Sequence, residues 1–204
     1  WLEFETDING VIYAYIDRKR KILATTLLRA LGCPSTRSLL ESFYEVEEVK
    51  SFDRSKIAKL EDNFCADHVL NPETQETIAL AGSRLTKDIL EVFAANKVKS
   101  FSIVKLPNDD LCVMNTLERD PYQTSADAQL AIYRRIRPGD PPTESTAKDL
   151  IHKLFFDQQR YDLGNVGRFM LNRKLNMEGK SDKTTLSYED VIKVLGQLLK
   201  LRSG

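Results

Sequence analysis

The residues of this sequence whose type and spacing suit chemistry are arginines. Arg134, Arg135 and Arg137 fall close together, and Arg160, Arg168 and Arg173 follow among apolar residues at three- and four-residue steps. A guanidinium is a planar fork of donors matched to phosphate oxygens, and each phosphate it neutralises releases condensed counterions. Arg18 and Arg20 form a second basic group near the start. Two positions apart, they share one side of an extended strand. Such a set can hold a nucleic acid backbone. A solvated face, or ion pairs with Asp140, Asp157 and Asp162, would account for any single member, so both readings stand at this level. Trp1, the only tryptophan, reads by itself as core packing, because large aromatics dominate buried area.

Catalysis calls for a nucleophile with its base, a metal cluster or a phosphate loop, and the sequence offers none of these. Cys65-Ala-Asp-His68 supplies two ligands on a strand where zinc needs about four, and His152 lies in another segment. Gly164-Asn-Val-Gly167 has the wrong spacing for a nucleotide loop and follows no buried strand. Glu3/Glu5 and Asp109/Asp110 are explained by exposed strand alternation and a loop tip. No cofactor and no metal is expected.

The elements that must position the arginines follow from local pattern. Leu2, Phe4 and Thr6 alternate with Glu3, Glu5 and Asp7, Asn9-Gly10 provides a turn, and 11–16 resumes the alternation: a β-hairpin. The basic run 17–21 sits at the strand exit, before a helix carrying Leu23, Leu27, Leu28 and Leu31 that ends at Gly32-Cys33-Pro34. Ser35 or Thr36 caps a second helix through Tyr44. Ser125 caps a helix running to Ile136, which Arg137-Pro-Gly-Asp-Pro-Pro stops, because proline cannot donate to the helix ladder. Thr143 caps the next, with Leu150, Ile151, Leu154 and Phe155 as its buried stripe. Arg137 is thereby held at a stiff corner. A flexible loop is expected at 179–183, then Ser187-Tyr-Glu-Asp caps an amphipathic helix bearing Val191, Leu195 and Leu198. Between these parts the composition turns acidic from Glu45. Strands at 64–70 and 77–81 around an Asn71-Pro72 turn, a helix from Thr86 to Asn96, a strand at 98–105 and a further short strand at 111–114 make a ββαβ unit.

At 204 residues the chain can form one large domain or two small ones. Lysine plus arginine and aspartate plus glutamate both number 30. The whole-chain charge therefore says nothing of nucleic acid, and only local clusters can. Three cysteines, Cys33, Cys65 and Cys112, are odd in number and widely spaced, which suits buried free thiols in a reducing compartment better than a disulfide framework. No apolar run approaches the length of a membrane span, and the opening Trp1-Leu-Glu-Phe-Glu is too acidic for a signal peptide. Opening without methionine inside a strand-like alternation, the chain is expected to be a piece of something larger.

The run Arg137-Pro-Gly-Asp-Pro-Pro, followed by Leu154-Phe-Phe, Arg160-Tyr-Asp-Leu and Val166-Gly-Arg168, resembles the lobe region of the bacterial RNA polymerase β subunit. Trp1-Leu-Glu-Phe-Glu, Ile16-Asp-Arg18-Lys-Arg20-Lys21-Ile and Leu28-Arg-Ala-Leu-Gly32 resemble the same subunit in the same order. The likeness covers both ends and only loosely the middle, about 52–115. It implies an α+β fold, a mostly helical lobe with an N-terminal β-hairpin, in two parts at 1–51 and 116–204. The ββαβ unit at 52–115 resembles a module that recurs in large polymerase subunits, which implies a lineage-specific insertion. The resemblance further implies a non-catalytic wall of the downstream DNA cleft in the bacterial cytoplasm, associated with the nucleoid. Its partners would be the non-template strand and downstream duplex DNA, the remainder of β, the β′ subunit, sigma factor, and regulators at the insertion. In the family the residue matching Trp1 stacks on an unpaired non-template base, and those matching Arg137 and Arg160 face that strand. Arg18, Arg20 and Arg168 complete the expected DNA-binding set.

Overall fold

Residues 1–107, 110–177 and 183–203 are described by the structure, a computed structural model. Strands β1 (Leu2–Thr6), β2 (Ile12–Ile16) and β3 (Arg20–Leu23) form an antiparallel sheet in that order. The period-2 pattern sets its faces: Ile12, Ala14 and Ile16 are buried, while Tyr13 and Tyr15 lie opposite the exposed Glu5 and Glu3. The first turn is the one expected at Asn9-Gly10, with Gly10 at φ +76°. The basic run after β2 makes a second turn and not a strand exit, because Asp17 and Arg18 both adopt left-handed backbone (φ +53° and +60°) and Lys19 N–H donates to Ile16 O. The hairpin thus gains a third strand, and Leu23 ends it rather than starting a helix.

Helix α1 (Ala24–Ala30) terminates in a left-handed Gly32 (φ +117°), with the Cys33 and Gly32 N–H groups returning to the carbonyls of Leu28 and Arg29. Ser35 caps α2 (Thr36–Glu41) through the Ser38 N–H, and α2 stops three residues before Tyr44. There the chain enters β4 (Glu45–Val49), then α3 (Ile57–Leu60), β5 (Phe64–Cys65), β6 (Val69–Leu70), β7 (Thr77–Ala79), α4 (Lys87–Ala95) and β8 (Phe101–Lys105). As expected, Thr86 caps α4, accepting from the Ile89 N–H. Sheet order is β4-β8-β5, with β6 and β7 as a separate antiparallel pair. Both strands flanking β8 run antiparallel to it, and β4, at Glu45–Val49, pairs with it along its whole length. Residues 111–114 are not a strand: Cys112–Glu118 is helix α5, whose Cys112, Val113 and Met114 pack in the larger core.

Helices α6 (Ser125–Ile136), α7 (Glu144–Phe155), α8 (Gly164–Lys174) and α9 (Tyr188–Ser203) complete the chain. Thr124, not Ser125, caps α6 through the Asp127 N–H. Thr143 and Thr146 cap α7 reciprocally, and so do Ser187 and Asp190 for α9. The loop expected at 179–183 lies, apart from Lys183, outside the described residues, as does Asp109.

Two hydrophobic cores result. The larger joins Ile12, Leu27, Leu28, Leu39, Leu40, Ile132, Ile151 and Leu195, so the N-terminal sheet and the later helices fold as one body. The smaller runs from Phe52 to Ile103 and centres on Phe52, Phe93 and Phe101, whose rings meet edge to face at 5.1–6.3 Å. Arg37 on α2 ties the two together, bonding Glu41 on its own helix and Asp67 and Ser102 in the smaller unit. With sheets of two and three strands beside nine helices among the described residues, the class is α+β.

Candidate nucleic-acid interface

Trp1 is 61% exposed and does not join the core. Its carbonyl accepts from the Asp17 N–H at 2.9 Å, extending the β1–β2 ladder one step past Leu2 and Ile16. That step brings the left-handed turn alongside, and the Arg18 guanidinium lies 4.0 Å from the indole centroid. A non-glycine residue at φ +60° pays a steric cost, and here that conformation sets the guanidinium on the ring. Arg18 and Arg20 do not share a strand face: Arg18 is a turn residue, whereas Arg20 opens β3 and bonds Asp17 at 3.2 Å.

Arg160 ends a turn organised by Asp157, whose carbonyl accepts from the N–H groups of Arg160 and Tyr161 and whose carboxylate accepts from the Gln159 N–H. Asp162 accepts from the Gly164 N–H at 2.8 Å, and this bond holds its carboxyl below the ordinary value. The carboxylates of Asp157 and Asp162, two of the three offered as partners for the arginines, both accept from backbone N–H groups. The Arg160 side chain is exposed and forms no ion pair among the described residues. Its neighbour Tyr161 lines a small cleft of about 30 Å³ with Trp1, Ile16, Asp17, Leu154 and Phe155. Arg160 is thus next in sequence to the wall that Trp1 borders.

Arg137 stands at the expected corner as the C-terminal cap of α6. Its N–H donates to Tyr133 O at 2.8 Å, its guanidinium lies 6.0 Å from the Tyr133 ring centroid, and Asp140 is 3.8 Å away with both side chains about half exposed. Two residues earlier, Arg135 donates to Lys21 O at 3.0 Å, so the end of α6 is tied to β3. Of the expected set, Arg18 and Trp1 are brought into direct contact and Arg20 shares their turn through Asp17, while Arg137 and Arg160 make no direct contact with them among the described residues.

Arg168 leaves the candidate set. It is buried, its two terminal nitrogens bind the Asp190 carboxylate at 2.8 and 2.9 Å, and it also donates to Asn172 and the carbonyls of Lys183 and Thr185. With its donors consumed internally, it anchors α8 to the start of α9. The sequence gives Asp190 only as a helix cap, so nothing there distinguishes this arginine from an exposed one. Sequence reasoning also missed Lys21, whose ammonium sits 3.8 Å from the Tyr13 ring centroid and 5.9 Å from that of Tyr15. Recognising β3 would have found it, since Lys21 is the cross-strand partner of Tyr15.

Among the described residues no group of three or more His, Cys, Asp or Glu side chains could hold a metal ion. Cys65 is buried, with its thiol pushed up to about 12 by burial and then by Asp67, and His68 Nδ1 accepts from the Ala81 N–H. No helix of the described residues is long and apolar enough to cross a membrane.

Residues 105–204 match the family model described as RNA polymerase Rpb2, domain 2. Along nearly its whole length the chain is similar to proteins named DNA-directed RNA polymerase subunit beta: 39% identical to that of Flavobacterium psychrophilum over 98% of the chain, 36% to that of Bacteroides thetaiotaomicron over 98%, and 36% to that of Methylacidiphilum infernorum over 100%. The chain belongs to the family of bacterial DNA-directed RNA polymerase β subunits. It spans 17% of the length of these relatives and so corresponds to a piece of such a subunit, with residues 105–204 in the region called domain 2.

Proposed function

We propose that this piece is a non-catalytic wall of the polymerase's downstream DNA cleft, which positions melted and duplex DNA by phosphate contacts and one aromatic stack. The observation that carries the reading is the exposed indole of Trp1, held against Arg18 and bordering the Tyr161 cleft next to Arg160. An indole face left open to solvent can stack on any base, worth about 1–3 kcal/mol and indifferent to sequence, which suits DNA that is melted at many different sites. Arg18, Arg20, Arg137 and Arg160 supply the phosphate contacts in this reading. In this reading the partners are the non-template strand and downstream duplex, the rest of β, β′ and sigma factor, at work on the nucleoid in the bacterial cytoplasm. No cofactor is assigned to the piece itself. The acidic unit around the smaller core repels DNA and is a site for protein regulators.

A second reading has support in the ion pairs. Arg20 and Arg137 each have an aspartate within 4 Å, and Arg168 is wholly internal. An interaction module that receives proteins without touching DNA would look the same in those respects. Binding to a forked oligonucleotide separates the two, since affinity that ignores salt and survives both Arg137→Ala and Arg160→Ala favours the protein-interaction reading.

A further inference from the structure

Helix α8 is built inside out. The residues it turns inward are Arg168 and Asn172, 4% and 8% exposed, while Val166, Phe169 and Met170 point to solvent at 78%, 60% and 52%. Their spacing of three and four places the three side chains in one stripe. A helix lying on the surface of a self-sufficient domain shows the reverse arrangement. Here the inward contact is ionic, the Arg168 fork on Asp190, and among the described residues nothing covers the apolar side. Scattered exposed apolar residues are ordinary, but a contiguous stripe marks a contact surface. Arg173 and Lys174, both exposed, continue the outward side at its C-terminal end, so the rim of the stripe is cationic.

We propose that the Val166, Phe169 and Met170 face is the docking surface for another segment of the same β subunit, apolar at its centre and carrying carboxylate toward Arg173 and Lys174. Two observations select this occupant. The relatives are close to six times as long as the chain, so most of the subunit's surface lies outside these residues and is covalently tethered to them. Tethering makes the contact intramolecular, so a small patch can be covered by a segment whose affinity as a separate piece would be low. The cationic rim calls for an acidic counterpart, which disfavours a second copy of α8, since two such rims would face each other. The inference does not depend on the DNA-contact reading and stands or falls separately from it.

The test uses the full-length subunit carrying Phe169→Cys, labelled with a maleimide and compared with the unsubstituted subunit. The three cysteines of this region are buried and contribute little background. Labelling of native subunit alone should be at least tenfold slower than in denaturant, unchanged by subunit concentration, and no slower after assembly with β′, sigma and DNA. Arg173→Glu in the same background should raise the rate several-fold by placing carboxylate against carboxylate. Rapid labelling of the native subunit overturns the proposal. Protection that appears only on adding β′, sigma or DNA, or that grows with subunit concentration, also overturns it by assigning the face to that other occupant.

Discussion

Removing the Asp190 carboxylate should be the most damaging single change in the second half of the chain. Arg168 is buried and forks onto both Asp190 oxygens, and the Ser187 N–H binds the same carboxylate at 2.7 Å. In Asp190→Ala the guanidinium stays in the interior with its counter-charge gone, a loss of about 3–5 kcal/mol, and the broken cap adds about 1 kcal/mol. Against a total of about 5–15 kcal/mol for a domain, that is enough to loosen α8 or unfold the larger body. Urea denaturation followed by far-ultraviolet circular dichroism measures it. The double replacement Arg168→Met with Asp190→Leu should recover part of the loss, because it removes the stranded charge while the Ser187 N–H and the Lys183 and Thr185 carbonyls still lose their partners. The pH dependence has a fixed sign. Burial alone would raise the Asp190 carboxyl, but the bonds from Arg168 and Ser187 outweigh it and leave it lowered. A depressed carboxyl contributes stability that is present above its unfolded value of about 3.9 and lost as pH falls through the folded one. Wild type should therefore weaken on acidification below about pH 4, and Asp190→Asn should weaken less over that window. A cost below about 1 kcal/mol for Asp190→Ala, or a double variant as unstable as the single, would refute the buried-pair reasoning.

Three further outcomes follow from the same contacts. Arg18→Gly should be more stable than Arg18→Ala by about 1 kcal/mol, since only glycine takes the left-handed turn without a Cβ penalty; equal denaturation midpoints would remove the strain from the account of that turn. Phe93→Ala should cost about 3–5 kcal/mol and speed amide exchange in β4 and β8 while α6 and α7 keep their protection, because Phe93 belongs to the smaller core. Cys65 and Cys112, whose thiols burial pushes up to about 12, should resist a disulfide reagent at pH 8 until the chain is unfolded.

What was legible in the sequence was local chemistry. Alternation gave β1 and β2, the Thr143 and Ser187 patterns gave two helix starts, and the proline run placed Arg137 at its corner. The third strand stayed hidden because its turn is made by Asp17 and Arg18, which lack the glycine that usually marks positive φ. Residues 111–114 look like a strand because a short apolar run has no period of its own, and the larger core decides it as helix. Long-range partnership was least visible. Arg168 and Arg160 are both arginines beside a turn and a helix, yet one is sealed against a carboxylate 22 positions on, and the other is open. Trp1, which by residue type alone belongs in the core, lies outside it at 61% exposure, with the Arg18 guanidinium of the turn after β2 on its ring.

Salt titration of binding to a forked oligonucleotide, with 2-aminopurine at the first unpaired base, bears most directly on the DNA-contact role. Affinity should fall steeply with salt, and Arg137→Ala and Arg160→Ala should each flatten the log–log slope by about 1. Trp1→Ala should leave that slope unchanged and abolish the quenching of 2-aminopurine. Binding that is indifferent to salt, to both arginine substitutions and to loss of the indole would contradict the role.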